Sequence, residues 1–192
     1  MNIVGVLLAA GSATRFGSDK LRHPLPHGVS MAAQAARHLK AEIETVVAVV
    51  RPNQDELSEN LKAEGCNVSV CGNAAEGMGA SLACAARAAG RADGYLVALA
   101  DMPFVRPSSI AAVRDALAAG AALAAPFFRA RRGHPVGLAG AFYEQLLLLQ
   151  GDEGAKRLLE AYASRLVKIP VGDPGVIRDI DTPDDLAPPA RV

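Results

Sequence analysis

The chain has 192 residues, a length that fits one domain and can bury roughly 70% of its unfolded surface without help from metal or disulfides. Hydrophobic residues are 51% and charged residues 21%, which excludes a disordered chain. Twenty Lys and Arg balance twenty Asp and Glu, and aromatics are only 4%, which argues against broad nucleic-acid binding and base-stacking platforms and leaves room only for a local basic patch.

Ile3 to Ala9 is an unbroken apolar run, the pattern of a strand buried on both faces. The loop Ala10 to His27 is long for a strand-to-helix connection. Ser30 is placed to cap a helix from Met31 to about Ala41. Thr45 to Val50 is a second buried strand, stopped by Arg51-Pro52, and Asn53 is placed to cap a helix to about Glu64, with Gly65 as its stop. Asn67 to Val70 reads as a short strand, Gly72 to Gly77 as a turn and Met78 to Ala89 as a helix of small residues ending at Gly90. Tyr95 to Ala100 is a strand, Ser108 or Ser109 starts a helix to about Ala119, and Ala121 to Ala125 is a fifth strand. Phe127 to Arg132 and Val136 to Leu138 flank Gly133 as a hairpin or an edge excursion. Helices are predicted at about Gly140 to Leu149 and Glu153 to Ser164, with late strands at Arg165 to Pro170 and Val176 to Asp179 and a helical turn near Asp184 and Asp185.

Alternation of strand and helix through the first five strands predicts an α/β sandwich with a mostly parallel sheet. One domain spans residues 1–192, with about 127–165 as an insertion-like segment on the substrate side. Cys66, Cys71 and Cys84 form no CxxC pair and are expected as reduced, partly buried thiols of a cytoplasmic chain. The N-terminus lacks the basic segment of a signal peptide, and no run reaches the roughly 20 apolar residues of a membrane span.

In open α/β sheets ligands bind beyond the carboxyl ends of the strands. Four loops carry Gly or Asp at such ends: 10–20, 72–81, 101–103 and 179–184. In the first, Gly11 allows a ligand close to the backbone, while Arg15 and Lys20 suit a polyphosphate; two solvated cations on a surface loop are the alternative. Neither a Walker loop nor GxGxxG is present. Asp101 ends a buried strand, where a carboxylate can hold Mg²⁺ over a phosphate or simply cap a turn. Asp179 and Asp181, two apart, share one face if the chain is extended, and so can join Asp101 or else only cap the turn after them. Glu76 to Ser81 opens a helix whose glycines admit a ligand to its N-terminus. Arg129, Arg131, Arg132 and His134 form a basic cluster that suits an anionic second substrate or a solvated edge.

The run Leu8-Ala9-Ala10-Gly11, with Arg15, Phe16, Gly17 and Lys20, resembles the signature of nucleotidyltransferases that activate molybdopterin or sugars. The segments Ala100-Asp101-Met102-Pro103, Arg132-Gly133-His134-Pro135-Val136, Asp179-Ile180-Asp181-Thr182-Pro183-Asp184-Asp185-Leu186, Gly77-Met78 with Ser81-Leu82, and Gly151-Asp152-Glu153-Gly154-Ala155 narrow the resemblance to the molybdenum cofactor cytidylyltransferases and their close relatives. The resemblance implies a three-layer α/β/α sandwich with a mixed sheet, a Rossmann-like nucleotidyltransferase fold. It also implies an activity: CMP passes from CTP to the terminal phosphate of the molybdopterin cofactor, with pyrophosphate released. By position, Leu8, Ala9, Ala10, Gly11, Asn73, Gly77 and Ser81 would border the nucleotide, and Arg15, Lys20 and Asp101 would carry the chemistry. Asp101, Asp181 and Asp179 would hold Mg²⁺, and Arg132, Gly133, His134 and Pro135 would face the pterin. A molybdoenzyme client is the implied partner. Ala13, Gly79, Ala80 and Arg22 depart from the usual pattern beside the nucleotide, so the rivals are a guanylyltransferase on molybdopterin and a cytidylyltransferase on another phosphorylated small molecule. A non-catalytic pterin chaperone would need neither Asp101 nor Asp181.

Overall fold

A computed structural model describes residues 1–11, 16, 19–152 and 154–186. Its strands are β1 (Ile3–Leu8), β2 (Thr45–Val50), β3 (Asn67–Val70), β4 (Gly94–Leu99), β5 (Leu123–Phe128), β6 (Arg131–Arg132), β7 (Val136–Ala139) and β8 (Leu166–Pro170). Its helices are α1 (Met31–Lys40), α2 (Asp55–Ala63), α3 (Met78–Ala89), α4 (Pro107–Ala118), α5 (Tyr143–Leu147) and α6 (Lys156–Ala161). The strands form one sheet, in which β3, β2, β1 and β4 lie side by side and parallel. β7 then pairs antiparallel with both β4 and β5, and β8 is parallel to β5. The sheet is therefore mixed and mostly parallel, as expected.

β1, β2 and β4 are almost wholly buried because helices cover both faces, which is why their sequences are continuous rather than alternating in hydrophobicity. One core cluster joins Leu7, Ala9, Val46 and Leu96 to α1, α2 and α4. A second joins Val4, Leu8, Val97 and Leu123 to α3, α5 and α6. A third and smaller one, Phe16, Leu25, Met31 and Ile180, ties the start of α1 to the stretch Asp179–Asp181. No helix among the described residues is long and apolar enough to cross a membrane.

Several elements differ from expectation. α2 starts at Asp55 with Gln54 as its N-cap, because Asn53 sits in a turn at φ +62°, a conformation Asn tolerates. α4 starts at Pro107, and neither Ser108 nor Ser109 caps it. The cap is remote: buried Asp173 accepts from the Arg106 backbone N–H at 2.9 Å and from the Ser109 hydroxyl at 2.8 Å. The expected strand Val176–Asp179 is instead a 3₁₀ turn over Pro174–Ile177, which Asp173 opens by accepting from the Gly175 N–H.

The segment after Pro126 departs from the expected hairpin across Gly133: the chain turns at Arg129-Ala130, both at positive φ, and pairs Phe127-Phe128 with Arg131-Arg132, and it is no edge excursion. β7 occupies the middle of the sheet, and β8 borders β5 along its length. That leaves β6 and β7 on the same flank of β5, as two halves of one strand interrupted at 133–135. The expectation of three reduced thiols is corrected for two of them. Cys71, at the end of β3, and Cys84, on α3, form a disulfide with Cα atoms 5.9 Å apart, and Cys66 is free and buried. The pairing is set by helix-on-sheet packing, which cysteine spacing does not encode.

Candidate active site

A cavity of about 410 Å³ opens at the carboxyl ends of β1, β2 and β4, where doubly wound sheets place their ligands. Leu8 and Leu99 stand on one rung of the sheet and form part of its lining, with Ala10 and Gly11 beside them. Alternation along the chain sends Leu8 and Ala10 to the cavity side and Ala9 into the opposite core, where it is fully buried. Ala9, expected beside the nucleotide, therefore turns its methyl away from the cavity.

Lys20 sits in a 3₁₀ turn over Lys20–Arg22, pinned by buried Leu21, and its side chain is only 8% exposed. A buried ammonium needs partners, and Lys20 Nζ has two: Asp101 Oδ2 and Asp181 Oδ1, each at 3.0 Å. Burial works against its charge, but the two carboxylates outweigh this and hold its pKa above the usual lysine value. Three distant segments thus meet at one cation. Asp101 follows β4. Asp181 is brought over it by Ile180, which is fully buried and donates its N–H to the Asp101 carbonyl at 3.0 Å. Asp185 then fixes the backbone there, accepting from the Asp181 N–H, the Thr182 N–H and the Thr182 hydroxyl. Those bonds, led by the Thr182 N–H, pull its pKa below the usual carboxylate value. Asp185 was not foreseen as a site residue, although Thr182-Pro183-Asp184-Asp185 has the spacing of a helix-capping box.

Asp101 and Asp181 offer hard oxygen donors converging on one point, which fits an ion such as Mg²⁺ held by one or two carboxylates together with substrate phosphates. Asp179 does not complete a protein cage with them. Among the described residues no group of three His, Cys, Asp or Glu side chains is placed to hold an ion. Arg15 lies outside the described residues.

The far wall is α3. Gly77, at φ +124°, and Gly79 pack against the 150–152 backbone so closely that a Cβ would stand 2.6 Å from Gly151 O and 2.5 Å from Gln150 O, respectively. Gly79 N–H donates to Gly151 O at 2.6 Å. This clamp brings Asp152 into the lining beside Gly77, Met78 and Ser81. Ser81 donates its hydroxyl to Gly77 O at 3.3 Å. Asn73 does not line the cavity; it is exposed and donates to Glu76, while its neighbours Ala74 and Ala75 take the lining position. Arg51, at the end of β2, also lines the cavity, and its Nε is buried without a hydrogen-bond partner among the described residues. Neither Arg51 nor Asp152 was foreseen as a site residue. A cation at the ligand-side end of a buried strand and an Asp between glycines were the available signals.

Arg132, Gly133, His134 and Pro135 lie outside the cavity and form its second flank. Gly133 has no room for a side chain, since a Cβ would meet Val176 O at 2.2 Å. His134 donates its backbone N–H to that same carbonyl at 2.8 Å and precedes a cis peptide bond. Its imidazole Nδ1 is buried without a hydrogen-bond partner among the described residues. Desolvation lowers its pKa and Arg132 adds to this, while a hydrogen bond to the Val97 backbone and the charges of Asp101 and Asp179 oppose it.

A lysine bridging two carboxylates at the ligand-side end of a mixed α/β sheet, beside a glycine-bearing loop and a helix N-terminus, suits a ligand that carries phosphates and a divalent ion, the chemistry of nucleotidyl transfer. The chain belongs to the family with the MobA-like NTP transferase domain, whose model matches residues 5–166. It is 28% identical over 194 residues to the purine catabolism protein PucB of Bacillus subtilis, covering 95% of this chain and 93% of that one. Among solved structures it is similar to Rv0371c of Mycobacterium tuberculosis, with a TM-score of 0.83, 24% identity and 96% of each chain covered. A complex of Rv0371c with manganese gives a TM-score of 0.77 at 23% identity, again over 96% of each chain. CMP:2-keto-3-deoxy-manno-octonic acid synthetase complexed with CTP shares the fold, with a TM-score of 0.74, 15% identity, and 97% of this chain and 95% of that one covered.

Proposed function

We propose that this protein is a molybdenum cofactor cytidylyltransferase, moving CMP from CTP to the terminal phosphate of molybdopterin. The observation that carries the reading is Lys20 Nζ at 3.0 Å from both Asp101 and Asp181 at the mouth of a nucleotide-sized cavity. The Gly-His-Pro run on the flank and the Asp-Ile-Asp-Thr-Pro run over the site support the particular family member.

The reaction joins two anions. An oxygen of the acceptor phosphate attacks the α-phosphorus of CTP; a new P–O–P bond forms, and the bond to the β-phosphate breaks, its electron pair leaving with pyrophosphate. No covalent enzyme intermediate is needed, so the task is positioning and charge neutralisation. Lys20 and Arg51 supply fixed positive charge, and Arg15 is assigned to the triphosphate with them. Asp101 and Asp181 would hold Mg²⁺, which when bound neutralises phosphate charge and orients the leaving group. Leu8 and Ala10 bound the space for the base. The test is turnover of CTP against GTP, each with Mg²⁺ and molybdopterin, monitored by pyrophosphate release. Preferred use of CTP is expected; equal use of GTP sinks the cytidylyl assignment, and no pyrophosphate with any nucleotide sinks the transfer reaction.

A further inference from the structure

Two carboxylates line the cavity, and only one of them is engaged. Asp101 faces Lys20. Asp152 sits on the far wall, where its Oδ1 lies over Gly77: a Cβ added to that glycine would stand 2.2 Å from it. Among the described residues Asp152 has no hydrogen bond or ion pair. Its place is nevertheless fixed. The 150–152 backbone is clamped on Gly77 and Gly79, and the Gly79 N–H holds the carbonyl of the preceding residue, Gly151. Gly77 is also the N-cap of α3, a helix of 12 residues, and the positive end of a helix dipole favours a negative charge beside it. The far wall thus presents an acceptor to which nothing described in the protein donates.

The chemistry of a nucleotide decides which part of it meets that acceptor. Phosphate oxygens are repelled by a carboxylate, so the triphosphate runs toward Lys20 and Arg51 and away from Asp152. The rest of the lining near Asp152 is apolar: Ala74, Ala75 and Met78 on its own side, with Leu8 and Ala10 bounding the space. Such a surface packs on a base and leaves orientation to a few polar groups. Ser81 is turned back on its own helix, donating to Gly77 O. Asp152 is left to read the edge of the base, and a carboxylate only accepts. At ring position 4 cytosine carries an amino group and uracil a carbonyl oxygen. The first donates to Asp152; the second is repelled by it.

We propose that Asp152 selects cytosine over uracil by accepting a hydrogen bond from the exocyclic amino group of the base. The inference rests on the nucleotidyltransferase reading and deepens it by naming the residue that reads the base. Purines can also offer amino hydrogens to Asp152, so their exclusion falls to the methyl of Ala10. The two residues divide the choice of nucleotide: Ala10 reads size and Asp152 reads the donor.

The test titrates CTP and UTP calorimetrically into the full chain with Mg²⁺ and no acceptor. The two share triphosphate, ribose and size, so the ratio of their affinities isolates the difference between their bases. CTP is expected to bind at least about tenfold more tightly. Asp152→Asn, whose amide both donates and accepts, is expected to bring the ratio to about one. Asp152→Ala is expected to weaken CTP about tenfold without weakening UTP. Asp152 is exposed, so both variants should unfold thermally as the unaltered chain does. Equal affinity for CTP and UTP in the unaltered chain overturns the proposal, as does a ratio that survives both substitutions. Equal weakening of both nucleotides also overturns it, since the carboxylate would then serve the shared ribose. Failure of both to bind the unaltered chain overturns the nucleotide reading itself. GTP binding as tightly as CTP overturns the cytidylyl assignment, and the ratio of CTP to UTP still judges Asp152.

Discussion

Lys20 is the residue on which the site closes, because its charge is what lets Asp101 and Asp181 stand side by side. Lys20→Ala leaves two partly buried carboxylates facing each other. The expected loss is about 1.5–3 kcal/mol, the size of a charge-assisted hydrogen bond, read as a lower urea midpoint together with a large fall in turnover. Asp101→Ala differs: it frees the ammonium toward Asp181, so turnover should vanish while the fold survives. Near-normal Mg²⁺-dependent turnover of that variant would remove Asp101 from the site. Ala9 and Ala10 separate just as cleanly. Only Ala10 faces the cavity, so only its methyl narrows the space for a purine. Sterics of this size discriminate by roughly 1–3 kcal/mol, or tenfold to a few hundredfold for CTP over GTP. Ala10→Gly should shrink that ratio, measured as kcat/KM for each nucleotide; Ala9→Gly should leave the ratio alone and cost stability only.

At the scale of elements, α3 and the 150–154 loop act as one wall. Gly79→Ala pushes a methyl into backbone, an overpacking cost of about 1–3 kcal/mol, and Gly77→Ala adds the left-handed strain of about 1–2 kcal/mol. Gly72, in the same connection, has open space around it, so Gly72→Ala should stay within about 0.5 kcal/mol; equal urea midpoints for all three would mean that the wall is not clamped. The disulfide joins β3 to this wall. Without reductant, thiol titration in denaturant should find one thiol, Cys66, and none in the native chain at neutral pH, since burial pushes the Cys66 thiol up to about 11. Three thiols in denaturant would mean that the bridge is absent. The parallel strands were legible because burial on both faces writes continuous Val, Ile and Leu, and Asp101 and Lys20 were legible because loops at strand ends carry chemistry. What stayed hidden depends on distant contacts: the remote capping of α4 by Asp173, the central seat of β7, and the arrival of Asp152 and Arg51 in the lining.

Across the whole molecule, the cavity draws on the ends of β1, β2 and β4, the turn carrying Lys20, the start of α3 and the 150–154 loop, so a bound nucleotide links segments that are far apart in the chain. Anything that binds only the folded state stabilises it by mass action, about 2.7 kcal/mol at a hundred times the dissociation constant. For a chain of this size each kcal/mol raises Tm by about 2–4 °C, so saturating CTP with Mg²⁺ should raise Tm by about 5–11 °C. The metal dependence follows from the lysine bridge: Asp101 and Asp181 must exchange part of their contact with Lys20 for the ion, and Lys20 must turn to the phosphates. Omitting Mg²⁺ should therefore leave a smaller shift rather than none, because Lys20 and Arg51 still meet the triphosphate. Asp101→Ala should erase the difference between the two conditions, whereas Lys168→Ala, far along the sheet, should show the full shift with CTP and Mg²⁺. Differential scanning fluorimetry of the three proteins, with and without Mg²⁺, decides the matter. A shift that is the same with and without the ion in the unaltered protein would show that the carboxylate pair does not recruit metal to the nucleotide.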